Sequence, residues 1–232
     1  MTSRTVFVQE LERLNEEVTR MGDLACKSIG KAVGAFVTGE ESLRAEVKAI
    51  DEKIYGCDTE IEKHCLDLIA LHTPVAGDLR TVSTCLKIIT DLNRIGRYAR
   101  DISDSADMLK DQRHFKRLIS IPQMAGLVEG MAKDAVDSFV TRDAEKARGL
   151  FERDDAIDGL YESIFREVLT YMMEDPKKVT MGINYILVTR YLERIADHAC
   201  NIGERIVYMV AGERLDPAEM KRKRREAETG NP

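Results

Sequence analysis

Six stretches of helical apolar spacing, closed off by glycines and prolines, constrain this chain more than any other feature of its sequence. From Phe7 to about Thr38, apolar residues recur three or four apart (Leu11, Leu14, Val18, Met21, Ala25, Ile29, Ala32), and Gly39 supplies a stop. A second helix is predicted from about Glu41 to Leu71 and a third from Asp78 to about Leu109, with His72–Gly77 as the turn between them. The pattern breaks over Lys110–Ser120 and reopens near Pro122. Further helices are predicted over about Pro122–Thr141, Ala144–Met173 and Lys177–Val210, the last ending near Gly212. Pro74, Pro122, Pro176 and Pro217 all fall between these segments, as proline must if it is to stay out of helix interiors. Strands find little support. The fold class expected is all-α, with long helices joined by short turns into antiparallel bundles.

The two halves repeat. A shift of 100 residues lays Leu92 on Leu192, Arg94 on Arg194, Ile95 on Ile195, Ala99 on Ala199 and Ile102 on Ile202. Asp51-Glu52-Lys53-Ile54 falls on Asp154-Asp155-Ala156-Ile157 at a shift of 103. The same order of helices and breaks in both halves implies two pseudo-symmetric three-helix bundles, residues 1–112 and 113–214, followed by a polar tail, 215–232, expected to be disordered.

Composition narrows the function. Charged residues make up 33% of the chain, apolar residues 44%, and there is no Trp, a profile of a soluble helical protein. No apolar run is long enough to span a bilayer and the N-terminus lacks a signal-peptide layout, so a cytoplasmic protein touching membranes only through partners is expected. A net charge of −6 argues against nucleic-acid binding, the basic run Lys221–Arg225 being the one local exception. The five cysteines (Cys26, Cys57, Cys65, Cys85, Cys200) lack CxxC spacing and read as small buried hydrophobes.

The stretch Arg190–Glu204 carries the most chemistry. At about 100° per residue, Glu193, Asp197, Asn201 and Glu204 share a stripe roughly 80° wide. Leu192, Ile195, Ala199, Ile202 and Ile206 form a separate apolar stripe, so the acidic row is expected at or near the surface. On the preceding helix Asp154, Asp158 and Glu162 are again four apart, flanking the apolar face. Stacked carboxylates are either a solvated face or a platform for a cation that takes oxygen ligands. The metal site expected is Glu193, Asp197 and Asp158, supported by Asp154 and Asn201. The first half lacks this chemistry: Asn93 stands for Glu193, Arg97 for Asp197 and Tyr55 for Asp158, and a guanidinium has no lone pair for a cation. One competent site is expected, not two.

Thr73-Pro74-Val75-Ala76-Gly77-Asp78-Leu79-Arg80 resembles the P-x-A-x-D-L-R turn of the PhoU family. Leu192-Glu193-Arg194-Ile195-Ala196-Asp197-His198-Ala199-Cys200-Asn201-Ile202 resembles its L-E-R-I-[GA]-D-H-x-x-N-I signature. The likeness runs over about residues 7–213. It implies two three-helix bundles whose E/D-xxx-D rows hold a divalent or trivalent metal ion such as iron or zinc. It also implies a homodimeric negative regulator of the phosphate regulon that binds a phosphate transporter's ATPase subunit and a membrane sensor histidine kinase. Regulation of a different transporter is an alternative. A ferritin-like di-metal enzyme is another, but that class uses Glu-x-x-His pairs, and none of His64, His72, His114 and His198 has a Glu three residues before it. No G-x-S-x-G and no G-x-x-x-x-G-K motif is present, so no catalytic role is expected. His198 reads as a hydrogen-bonding surface residue rather than a ligand.

Overall fold

The computed structural model describes residues 3–110 and 112–215; the tail from residue 216 on, with the basic run Lys221–Arg225, lies outside them. Six helices are joined by short turns: α1 (Ser3–Thr38), α2 (Glu41–His72), α3 (Ala76–Met108), α4 (Ser120–Thr141), α5 (Ala144–Glu174) and α6 (Val179–Ala211). No strand occurs among the described residues. Each boundary falls within a few residues of the spacing-based expectation, and local chemistry explains why. Gly39 takes a left-handed φ of 73° and donates its N–H to Ala35 O at 2.8 Å, closing α1. Asp143 caps α5 by accepting from Lys146 N at 2.9 Å. Pro176 opens a one-turn 3-10 segment, Pro176–Lys178, that leads into α6. Leu79, in the first turn of α3, is 41% exposed.

Helices α1, α2 and α3 pack mutually, as do α4, α5 and α6, and the two bundles meet where α3 lies on α6 and α1 on α4. Leu14, Met21, Ile54, Ile61, Leu92 and Ile95 fill the first core; Met124, Tyr185, Leu192 and Ile206 fill the second. The seam shows the pseudo-symmetry directly. His198 Nδ1 lies 2.7 Å from Asp91 Oδ1, while Tyr98 stacks on Tyr191 with ring centroids 5.9 Å apart. Position 91 meets 198, and 191 meets 98: the two contacts exchange under the repeat. That requires α3 and α6 to run antiparallel. The strap over residues 109–119 is pinned by His114, whose Nε2 lies 3.1 Å from Phe36 O in the first bundle and whose Nδ1 lies 2.8 Å from the Tyr185 hydroxyl in the second.

Candidate functional site

Helices α5 and α6 pack tightly because Gly203 lets them. A Cβ built there would lie 2.9 Å from Ala147 O, closer than real Cβ contacts, so any larger residue drives the helices apart. This close approach sets the acidic rows of the two helices side by side. Asp154 is 6% exposed, Asp158 is half-buried, and the Glu193 and Asp197 side chains are 15% and 41% exposed. The row is therefore not uniformly at the surface as its helical phase suggested. Its inner members face the partner helix.

The carboxylates sense one another. Burial pushes the Asp197 carboxyl up, the charge of Asp154 and then of Asp158 adds to this, and Arg194 and His198 oppose it. Burial likewise raises Glu193; Arg190 pulls it back, while Asp197 and Asp158 push it up further. In this conformation Glu193 pairs with Arg190, and Asp197 accepts from Arg194 Nη1 at 3.3 Å. Among the described residues no three His, Cys, Asp or Glu side chains are gathered closely enough to hold an ion, so a cation would have to draw these carboxylates off their arginines. The donor set itself fits: it is all oxygen and mutually repulsive, which a cation relieves. A cavity of about 360 Å³ opens on it, lined by Asp154, Asp197 and Asn201 of the second half and by Tyr98 of the first.

Asn201 is turned elsewhere. Its Nδ2 donates to Asp91 Oδ1 at 3.3 Å across the seam, and the same carboxylate oxygen meets His198. His198 does make a hydrogen bond as expected, but half-buried in the seam, its ring 5.8 Å from that of Tyr98. Asp91 was missed by sequence reasoning, since it lies outside both acidic rows. Its one signal was a charged residue beside the buried stripe residue Leu92.

The first half closes the equivalent positions with arginine. Asp51, matching Asp154, is 4% exposed and receives Arg97 Nη1 at 3.1 Å and Arg100 Nη1 at 3.3 Å. The Arg97 guanidinium also lies over the Tyr55 ring, 6.0 Å from its centroid. Asn93 Nδ2 donates to Asp58 at 3.0 Å. Arg97 thus supplies a positive charge and Asn93 a donor internally. In the second half Asp197 stands for Arg97 and Cys200 for Arg100.

The cysteines are poor nucleophiles. Burial pushes Cys26 and Cys65 up to about 12 and Cys85 higher still, so the reactive thiolate is scarce at neutral pH. Three of the five are buried, two half-buried, and all are free thiols. No helix among the described residues is long and apolar enough to cross a membrane.

Fold and site together define a duplicated helical-bundle protein with a carboxylate cluster in its second copy. Known proteins share the duplicated fold. The PhoU domain matches twice, over residues 18–106 and 121–206, the two halves of the repeat. A relative from Clostridium acetobutylicum, described as a phosphate-specific transport system accessory protein PhoU homolog, is 37% identical over 92% of this chain and 98% of its own. The homolog of the same description from Caulobacter vibrioides is 39% identical over 93% and 95%. Crystal structures of PhoU from Pseudomonas aeruginosa and from Streptococcus pneumoniae superpose with TM-scores of 0.86 and 0.83 at 33% and 29% identity, covering 89% and 90% of this chain and nearly all of theirs. The chain belongs to the PhoU family.

Proposed function

We propose that this protein is a non-enzymatic regulator of phosphate uptake. It works in the cytoplasm as a homodimer, docking on the ATPase subunit of a phosphate transporter and on a membrane sensor histidine kinase to keep phosphate-starvation genes repressed. The observation that carries this reading is likeness over almost the whole chain to proteins described as phosphate-specific transport system accessory proteins. The second-half cluster is compatible with it, because its all-oxygen, mutually repulsive donors suit binding a cation. Glu193, Asp197 and Asp158 would hold a divalent or trivalent ion, iron or zinc, with Asp154 behind them and Asn201 at the rim. Such an ion supplies positive charge that draws the α5 and α6 carboxylates together, the role that Arg97 and Arg100 fill internally around Asp51.

The test is affinity capture with the tagged full chain from phosphate-replete cells. Recovery of a phosphate transporter's ATPase subunit is the expected result. Repeated recovery of an unrelated transporter's ATPase in its place would move the assignment to that transporter and overturn this one.

A further inference from the structure

A groove of about 490 Å³ lies between the outer faces of α1 and α2, and shares no lining residue with the carboxylate cluster. One end of it is apolar: Val6 and Leu71, 37% and 77% exposed, flank His72. Further along, Glu10 and Glu17 face it from α1, and Glu60 and Asp67 from α2. Arg13 and Lys63 offset part of that charge, and Arg13 is spent on Glu17 at 3.0 Å. His64 holds Glu17 and Glu10 at 2.8 and 3.1 Å. Among the described residues Glu60 and Asp67 have no such partner, although they line the groove's acidic length.

The described chain ends beside the first turns of α3, next to the α2–α3 turn that follows Leu71 and His72 at the apolar end of this groove. A Cβ on Gly212, which closes α6, would lie 4.0 Å from the Arg80 guanidinium carbon. Two residues before Arg80, Asp78 pairs with Arg4 at 2.9 Å, and Phe7, one turn on from Arg4, stacks on His72 at 5.3 Å. Beyond Leu215 the sequence continues to Met220 and then to Lys221-Arg222-Lys223-Arg224-Arg225. Six to ten residues can span at most roughly 20–33 Å, and the groove from Leu71 to Glu60 is about 16 Å of helix, so the run can reach along it.

We propose that the segment Met220–Arg225 docks in the α1–α2 groove of its own chain. Complementarity holds in kind and in order: Met220 arrives first, at Val6 and Leu71, and the five cations follow, at Asp67, Glu10 and Glu60. Tethering a few residues away gives the segment a high effective concentration, so weak surface ion pairs suffice to hold it. The basic run then serves as an intramolecular ligand, not as a nucleic-acid patch.

Carbodiimide coupling of the full chain, which condenses an amine with a carboxylate in contact, followed by peptide mass spectrometry, tests this. Lys221 and Lys223 should join to Glu10, Glu60 or Asp67 within one chain. The yield at Glu10, which the variant keeps, should fall at least ~5-fold in Glu60→Gln/Asp67→Asn, since removing exposed ion pairs depopulates the docked form without unfolding the bundle. High salt should lower it as well. Circular dichroism confirms that the variant is folded. Coupling of these lysines to acids scattered over the surface, or a yield that the variant leaves unchanged, overturns the proposal. So do links found only between labelled and unlabelled chains, which would give the groove to a second copy.

Discussion

Replacing both Arg97 and Arg100 with methionine should destabilise the protein by about 3 kcal/mol, because it strands a buried carboxylate. Asp51 has a side chain 5% exposed, and its two arginines, 51% and 29% exposed, both address Oδ2. Its other oxygen, Oδ1, is buried with no hydrogen-bond partner among the described residues, so the guanidinium pair supplies the hydrogen bonds that this carboxylate has there. Removing Arg97 alone, half in water, should cost about 0.5–1 kcal/mol after solvent screening. The more buried Arg100 should cost somewhat more. Removing both goes beyond the sum, towards the low end of the range for breaking a buried pair, since the second loss leaves no counter-charge. At this chain length the melting temperature should drop by roughly 6–12 °C. Adding Asp51→Asn removes the stranded charge and should restore most of the loss. Thermal unfolding followed by circular dichroism, with urea titration alongside, measures all four variants. A double variant melting within ~2 °C of the parent would refute the reasoning. So would a loss that Asp51→Asn does not relieve, since the arginines would then be stabilising through their packed stems and not their charge.

The remaining predictions concern packing, pH, the seam and the thiols. Gly203→Ala should destabilise by about 1–3 kcal/mol in a urea titration, because its methyl meets a backbone oxygen that cannot move aside without separating α5 from α6. Glu193, Asp197 and Asp101 are each shifted upward from the ordinary carboxylate range, first by burial. The folded chain therefore keeps protons that the unfolded chain has released, so in chelator their share of stability is largest below that range and falls as pH rises through it. Asp197→Asn should flatten this fall in melting curves taken across the acid side of neutrality. Asp134 works the other way: burial raises it, but the hydrogen bonds and charges of Lys146 and Arg153 outweigh burial and hold it low, so its contribution fades on acidification. Asp91→Ala removes the shared acceptor of His198 and Asn201 and should cost about 1 kcal/mol, read by denaturant melts. A thiol reagent should label half-buried Cys57 first, and Cys65 and Cys85 only on unfolding.

Much of this was legible in the residues, for identifiable reasons. Helix limits were readable because Gly39, Pro74, Asp143 and Pro176 act locally, through φ, a missing N–H or a cap, and need no tertiary context. The repeat was readable because both halves keep the same buried stripe, Leu92 to Ile102 on Leu192 to Ile202. The site was legible in membership but not in state. Helical phase puts Glu193 and Asp197 on one face, but cannot say that Arg190 and Arg194, three residues earlier, have already engaged them. Nor can phase show that Asn201 turns to Asp91, because that contact depends on α3 packing antiparallel against α6. Arg100 pairs with Asp104 one turn on, and both Arg97 and Arg100 with Asp51 of the packed helix, as opposite charges so placed do.

We propose that the halves differ in what offsets their inner acids: arginine around Asp51, and beside Asp197 an ion that would displace Arg194. Metal content of the purified full chain, by plasma mass spectrometry after loading with iron or zinc and desalting, tests it most directly. The account predicts one site per chain, lost in the Glu193→Gln/Asp197→Asn variant and untouched by Arg97→Met. Metal no higher in the parent than in that variant, or two equal sites per chain, would contradict it.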